Sequence, residues 1–137
     1  MSEDRLPTDA PRPTSATQEF WAATSDGTLL LQRCDACGTV IWYPKGFCPA
    51  CSSFATSWFA ASGLGTVYSF TVVRKAAGAW QKATPYVVAY VELAEGPRVL
   101  TNVVGCDPGS VEVGMPVQVV FDDTGEGTAL YRFRPLP

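Results

Sequence analysis

Two Cys-x-x-Cys pairs, Cys34-Asp35-Ala36-Cys37 and Cys48-Pro49-Ala50-Cys51, stand ten residues apart and decide what this chain can build. Each pair suits a tight knuckle that turns two thiols to one side, and two facing knuckles bring four sulfurs together at tetrahedral spacing. Gly38 tolerates the turn after the second ligand, and Pro49 removes one backbone donor inside the second loop. Four soft thiolates point to Zn²⁺ in a structural role, because a closed shell leaves no open position for a substrate or a reactive water. Iron in a rubredoxin-like site uses a similar spacing, and two disulfides would use the same residues in an oxidising compartment. The N-terminus, MSEDRLPTDAPRP, is acidic where a secretory signal is basic and then apolar, so the expected compartment is the cytoplasm, where disulfides are disfavoured. No stretch approaches the ~20 apolar residues of a membrane span.

The β-rich runs Thr28–Arg33 and Thr39–Tyr43 flank the first knuckle and predict a zinc ribbon over 28–62. From residue 63 onward Thr66–Arg74, Tyr86–Leu93, Arg98–Val104, Val117–Phe121 and Ala129–Phe133 are rich in Val, Tyr and Phe, with turn residues such as Asp107-Pro108-Gly109 between them. Five short strands without a long helix predict a mainly β fold closed as a small OB-type barrel over 63–137, with Gly63-Leu64-Gly65 as the hinge. Ahead of the ribbon, residues 1–13 hold three prolines and no hydrophobic periodicity, which reads as a disordered lead or linker. A capping box of Ser15 and Gln18 then opens a short helix within 14–27 that Gly27 can end. Such a helix is unstable alone and must dock, and its apolar Phe20 and Trp21 are the expected partner interface.

Composition narrows the chemistry. The 137 residues contain no His, which excludes Ser-His-Asp and Cys-His catalysis, His-ligated zinc hydrolysis and any imidazole acid or base within this chain. Only 17% of residues are charged, below the ~25% usual for soluble domains, which points to a surface covered by a partner. A formal net charge of −3 argues against an autonomous nucleic-acid binder, despite aromatic side chains such as Trp58, Tyr68 and Phe70 that would suit base stacking. Four thiolates and one divalent cation together carry −2, which takes the folded, metal-bound chain to about −5. The charge is unevenly spread: no acidic residue lies between Asp35 and Glu92, whereas Lys45, Arg74, Lys75 and Lys82 do.

Arg74, Lys75 and Lys82 surround Trp80 in a loop that breaks the strand rhythm, a set that suits phosphates plus an adenine or apolar moiety, or equally a solvated loop with a packed indole. Cys106 precedes the acidic Asp107, a neighbour that does not activate a thiol, so it reads as a packed or edge thiol. Asp122, Asp123 and Glu126 read as a solvated turn before the last strand.

The order of these features is more specific than the cysteines alone. Phe-Trp in a helix, Leu-Gln-Arg-Cys-x-x-Cys-Gly, Cys-Pro-x-Cys, Gly-x-Gly-Thr-Val-Tyr-Ser-Phe, Pro-Tyr-Val-Val-Ala, Val-Gly-Met-Pro-Val and a terminal Phe-Arg-Pro follow one another from about Phe20 to Pro135. This run resembles the zinc-ribbon plus OB-fold family of thiolase-associated acyl-CoA proteins. The resemblance implies a rubredoxin-like ribbon joined to an OB barrel, with one structural Zn²⁺ and without independent catalysis. It implies a hetero-oligomer with a thiolase-superfamily or lipid-transfer-protein-like subunit. One setting is retro-aldol cleavage of a CoA thioester in steroid side-chain degradation, where a related domain is often fused behind a hydratase-like domain; the other is an acetoacetyl-CoA thiolase assembly. In either, Arg74, Lys75, Trp80 and Lys82 are the expected contacts to CoA or to the partner.

Overall fold

A computed structural model describes residues 6–137. Helix α1 (Gln18–Thr24) precedes a three-stranded antiparallel sheet of β1 (Leu30–Cys34), β2 (Val40–Ile41) and β3 (Thr56–Ala60), ordered β2-β1-β3. Five further strands, β4 (Leu64–Val73), β5 (Tyr86–Leu93), β6 (Arg98–Val103), β7 (Pro116–Asp123) and β8 (Ala129–Pro135), close a barrel in the order β4-β5-β6-β8-β7. Its neighbours are antiparallel except β6 and β8, which meet in parallel at Val103 and Phe133. This is the mainly β architecture expected from the sequence: short helix, ribbon and five-stranded OB barrel. No helix among the described residues is long and apolar enough to cross a membrane.

Alternation builds the barrel. Along β5, Val87, Ala89, Val91 and Leu93 are buried while Tyr86, Val88, Tyr90 and Glu92 face outward; along β6, Val99, Thr101 and Val103 point in. Gly65 sits where β4 crosses close to β5, and a Cβ there would lie 2.6 Å from the Glu92 carbonyl oxygen, so no larger residue fits without moving backbone. Gly63-Leu64-Gly65 is therefore not a free hinge: Leu64 and Gly65 already pair with Gln118 and Val117 of β7. Strand β3 was not expected either. Its sequence, Thr-Ser-Trp-Phe-Ala, lacks alternation, and it forms because β1 offers it a full register from Leu30–Ala60 to Cys34–Thr56.

The short helix docks on its own chain. Phe20 is completely buried and Trp21 is 7% exposed, so the expectation that they meet a partner is corrected. Phe20 touches four rings, with centroids at 4.9 Å (Trp21), 5.4 Å (Trp42), 5.9 Å (Tyr43) and 5.9 Å (Tyr131), while the Trp21 indole N–H donates to the Tyr43 hydroxyl at 2.9 Å. A seven-residue helix cannot persist on its own hydrogen bonds, and this aromatic contact supplies the tertiary packing it needs. Its start also differs from the capping-box expectation. Thr17, not Ser15, is the N-cap, and the Thr17 hydroxyl accepts from the Thr14 N–H at 2.8 Å instead of capping the helix.

The lead, read from sequence as disordered, is anchored from residue 6 on; residues 1–5 lie outside the described residues. Leu6 is buried, and Arg132, 2% exposed in β8, donates to the Pro7 carbonyl at 2.6 Å, the Thr8 hydroxyl at 3.1 Å and the Asp122 carboxylate at 2.6 Å. Asp122 thus belongs to an ion pair within the barrel wall rather than to a solvated turn. A buried guanidinium survives only when its donors are taken up, and here the lead provides two of the three acceptors.

Two outcomes follow. Arg132→Met leaves Asp122 and the Pro7 carbonyl without their partner and should cost about 3 kcal/mol, read as a lower midpoint in chemical denaturation and as faster proteolysis of the lead. Tyr131 titrates well above an ordinary tyrosine, because burial disfavours the phenolate and the neighbouring Tyr43 adds to the effect. A group with a raised folded-state pKa contributes stability below its unfolded pKa of about 10, and that contribution is lost as pH climbs above it. Tyr131→Phe should therefore flatten the alkaline limb of the stability profile, as measured by denaturation midpoints from pH 8 to 11.

Candidate metal centre and basic loop

Both knuckles are closed by the same backbone bond. The Gly38 N–H donates to the Cys34 carbonyl and the Ser52 N–H to the Cys48 carbonyl, each at 2.8 Å. The residue after the second cysteine is left-handed in both, with φ of +78° at Gly38 and +67° at Ser52. Glycine takes that conformation freely, and serine holds it at a cost of about 1 kcal/mol. The second knuckle is steadied by Gln32, a buried side chain on β1 that treats Lys45 as a strand neighbour. Its Nε2 donates to the Lys45 carbonyl at 3.0 Å and its Oε1 accepts from the Lys45 N–H at 2.9 Å. The first knuckle is tied to β3, where the Ser57 hydroxyl lies 2.8 Å from both oxygens of Asp35.

These supports bring Cys34, Cys37, Cys48 and Cys51 together with all four sulfurs within 4.8 Å of one another. Cys34–Cys51 is 3.5 Å and Cys37–Cys48 is 3.7 Å. A tetrahedron with metal–sulfur bonds of about 2.3 Å has edges of about 3.8 Å, so the arrangement fits a tetrathiolate metal centre. One ligand of each knuckle, Cys34 and Cys48, is buried against Ile41, and the other is exposed. Without a cation the four thiols cannot ionise together. The Thr39 hydroxyl and backbone N–H bring Cys37 down to about 6. The Ser53 N–H favours the Cys51 thiolate, but the neighbouring Cys34 and Cys37 thiols and desolvation outweigh it and push Cys51 up to about 12. A divalent cation removes that conflict.

The basic set is less compact than its sequence suggests. Arg74, Lys75 and Lys82 are exposed on the β4–β5 connection, which forms a short 3₁₀ turn over Gly78–Ala83, and none enters an ion pair among the described residues. The half-buried Trp80 folds back on the first residue of β5, its ring 4.8 Å from that of Tyr86, so the loop presents one face of a packed indole. Lys82 also borders a cavity of about 590 Å³ between Ala83–Tyr86, Val103–Cys106 and Leu6. Cys106 lies in its wall, half-buried and packed against the core, as its sequence context indicated.

Gln32 and Arg132 escaped the sequence reading. A glutamine two residues before a ligand and an arginine in an apolar last strand, across the turn from Asp122-Asp123, were the available signals. Both are polar residues that the period-2 pattern alone assigns no role.

A tetrathiol ribbon welded to an OB barrel defines a class of zinc-ribbon/OB proteins. Residues 21–57 match the family model "ChsH2, rubredoxin-like zinc ribbon domain" and residues 58–122 match "ChsH2, C-terminal OB-fold domain". The chain belongs to the ChsH2 family. It is 38% identical over 115 residues to a "DUF35 domain-containing scaffold protein" of Methanocaldococcus jannaschii, covering 79% of this chain and 82% of that protein. It is 40% identical over 127 residues to a "Probable enoyl-CoA hydratase alpha subunit" of Thermomonospora curvata, covering 91% of this chain. The match to the Mycobacterium tuberculosis "3-oxo-4,17-pregnadiene-20-carboxyl-CoA hydratase alpha subunit" is 35% over 137 residues and covers 98% of this chain. The chain spans 40% and 43% of those two hydratase subunits. Among solved structures, a chain described as "Ltp2-ChsH2(DUF35) aldolase" superposes with a TM-score of 0.83 at 37% identity, over 92% of this chain and 98% of that one.

Removal of one buried ligand tests the centre. Cys48→Ser should reduce bound metal from one per chain to near zero by elemental analysis and release the knuckles to proteolysis. Because Cys37 is a thiolate at neutral pH and carries a proton below about 6, metal loading should release more protons per ion at pH 5 than at pH 7, measured by calorimetry in buffers of different ionisation enthalpy.

Proposed function

We propose that this chain is a non-catalytic accessory subunit that binds one structural Zn²⁺ through Cys34, Cys37, Cys48 and Cys51 and supports a thiolase-superfamily enzyme acting on CoA thioesters. The observation that carries the reading is the 98% coverage of the Ltp2–ChsH2 aldolase chain at 37% identity, ribbon and barrel together. Zinc fits because four thiolates with no open position give a closed, redox-silent site whose contribution is folding energy.

The chemistry of the relatives is coherent. A hydratase adds water across the double bond of an enoyl-CoA and yields a β-hydroxyacyl-CoA. A retro-aldolase takes such a product: the hydroxyl proton goes to a base, the Cα–Cβ bond breaks, and the resulting enolate of the shorter acyl-CoA is protonated as a carbonyl compound leaves. In this proposal the substrate is a steroid side-chain CoA thioester, and the partner supplies the acid and base; this chain offers no imidazole for either role. Arg74, Lys75 and Lys82, with Trp80 beside them, contact an anionic group at the interface, the CoA phosphates or carboxylates of the partner. A thiolase-type acyltransferase partner is the second reading, which the sequence resemblance implies alongside the first; the 82% coverage of the archaeal scaffold protein supports the accessory role that both readings share.

The test is reconstitution. Ltp2-type aldolase should cleave a steroid β-hydroxyacyl-CoA faster with this chain than without it, followed by release of the shorter acyl-CoA, and the isolated chain should show no turnover. Cleavage unaffected by the chain, with no complex on gel filtration, would sink the aldolase reading; stimulation of acetoacetyl-CoA formation in its place would favour the second.

A further inference from the structure

With Phe20 and Trp21 spent inside the chain, the apolar surface left over lies elsewhere. On the barrel, Tyr68, Tyr90 and Leu100 are 47%, 45% and 52% exposed. The strand register places them together: Ser69, Tyr90 and Leu100 form one row across β4, β5 and β6, and Tyr68 is the extra residue of a β-bulge that shifts the β4–β5 pairing between Val67 and Ser69. Bulges re-aim side chains, and this one turns a tyrosine outward at the edge of the row. The Arg98 guanidinium lies 3.9 Å over the Tyr68 ring while its Nε donates to Glu92 at 3.1 Å, so ring and cation are already held in place. The same outer face continues through the row Thr71–Val88–Asn102 to Val73–Tyr86, where Trp80 covers Tyr86 and the loop with Arg74, Lys75 and Lys82 begins.

We propose that the outer face of β4-β5-β6 is where the partner subunit seats, an apolar patch of that protein covering Tyr68, Tyr90 and Leu100 with carboxylates along one rim opposite Arg74, Lys75 and Lys82. The inference rests on the accessory-subunit reading and adds the surface to it. Its composition is that of an interface centre, with tyrosine, tryptophan and arginine beside an exposed leucine, and its order lowers the entropy lost on binding. The loop cations enter no ion pair among the described residues, and no acidic residue lies between Asp35 and Glu92 to supply one from the flanking sequence, so an occupant with negative charge at that end is the complementary one. A single nucleic-acid strand fits less well: the Arg98 guanidinium already occupies a Tyr68 face, Val88 and Leu100 offer neither ring nor polar group, and Glu92 stands in the same surface.

Binding to the Ltp2 subunit of the solved aldolase, followed by surface plasmon resonance with folding of each variant checked by circular dichroism, tests the assignment. Tyr90→Ala and Leu100→Ala should each weaken the complex about tenfold, and Leu100→Glu should abolish it. Lys75→Glu with Lys82→Glu should slow association and flatten its salt dependence. Phe54→Ser, at a ribbon side chain 82% exposed, should bind as the parent chain does. Unchanged affinity of the barrel variants beside normal binding of the parent would overturn this surface and leave the accessory reading intact. No binding by the parent would overturn both. Salt-sensitive binding of a single-stranded DNA oligonucleotide, lost in the Tyr90 and Leu100 variants, would assign the face to nucleic acid and overturn the proposal.

Discussion

The contact of Phe20 with the four rings around it holds the three parts of this chain together. Phe20 and Trp21 come from the helix, Trp42 and Tyr43 from the stretch after β2, and Tyr131 from the last barrel strand. Residues far apart in sequence thus converge on one completely buried ring. The same apolar cluster runs on without a break through Leu29 and Leu31 of the ribbon to Val67, Val91, Val117 and Phe133 of the barrel. Ribbon and barrel therefore share one core, and a force on the ribbon is transmitted to the barrel rather than taken up by a hinge. Truncation of a ring at this centre removes contacts to all three parts at once, which is why a helix of seven residues matters to a barrel of five strands.

The metal end depends on a different kind of support. Its own apolar cluster is only Cys34, Ile41 and Cys48, too small to order two knuckles without the bidentate Gln32–Lys45 pair, the Asp35–Ser57 contact and a cation. The exposed ligands, Cys37 and Cys51, show what the cation does. One holds its proton weakly and the other strongly, so the metal-free site has a mixed charge state, and binding drives the four sulfurs to a single one.

What was legible in the sequence follows from the range over which each signal acts. The knuckles were legible because four ligands at fixed spacing are a local pattern, and the barrel strands because alternation is local too: the expected run Tyr86–Leu93 is the observed β5 residue for residue. Strand β3 was missed because only the edge of β1 makes it a strand, and the capping box was misplaced because the Thr17 hydroxyl finds the Thr14 N–H instead. The lead looked disordered because three prolines and no periodicity conceal a single long-range anchor, Arg132 reaching 124 residues back to Thr8. Phe20 and Trp21 were correctly taken as a docking face, but sequence spacing cannot say whether the dock is another chain or one's own Tyr131.

That last ambiguity bears on how low charge is to be read. An apolar, sparsely charged chain of this length can bury its excess internally or leave it on show, and both happen here. The excess around the helix is consumed by the aromatic contact, while on β5 and β6 an exposed Tyr90 faces an exposed Leu100 across a strand pair that internal packing does not need, since Val87, Ala89, Val91, Val99 and Val103 already fill the inner side. Cross-strand apolar pairs of this kind stabilise a sheet by only a few tenths of a kcal/mol when left in water, and they raise the risk of unwanted association. A barrel that carries such a pair beside an arginine fixed over a tyrosine has a surface suited to a protein rather than to solvent. On the proposed docking of a partner there, the acid-free run from residue 36 to residue 91 calls for negative charge on the occupant's rim.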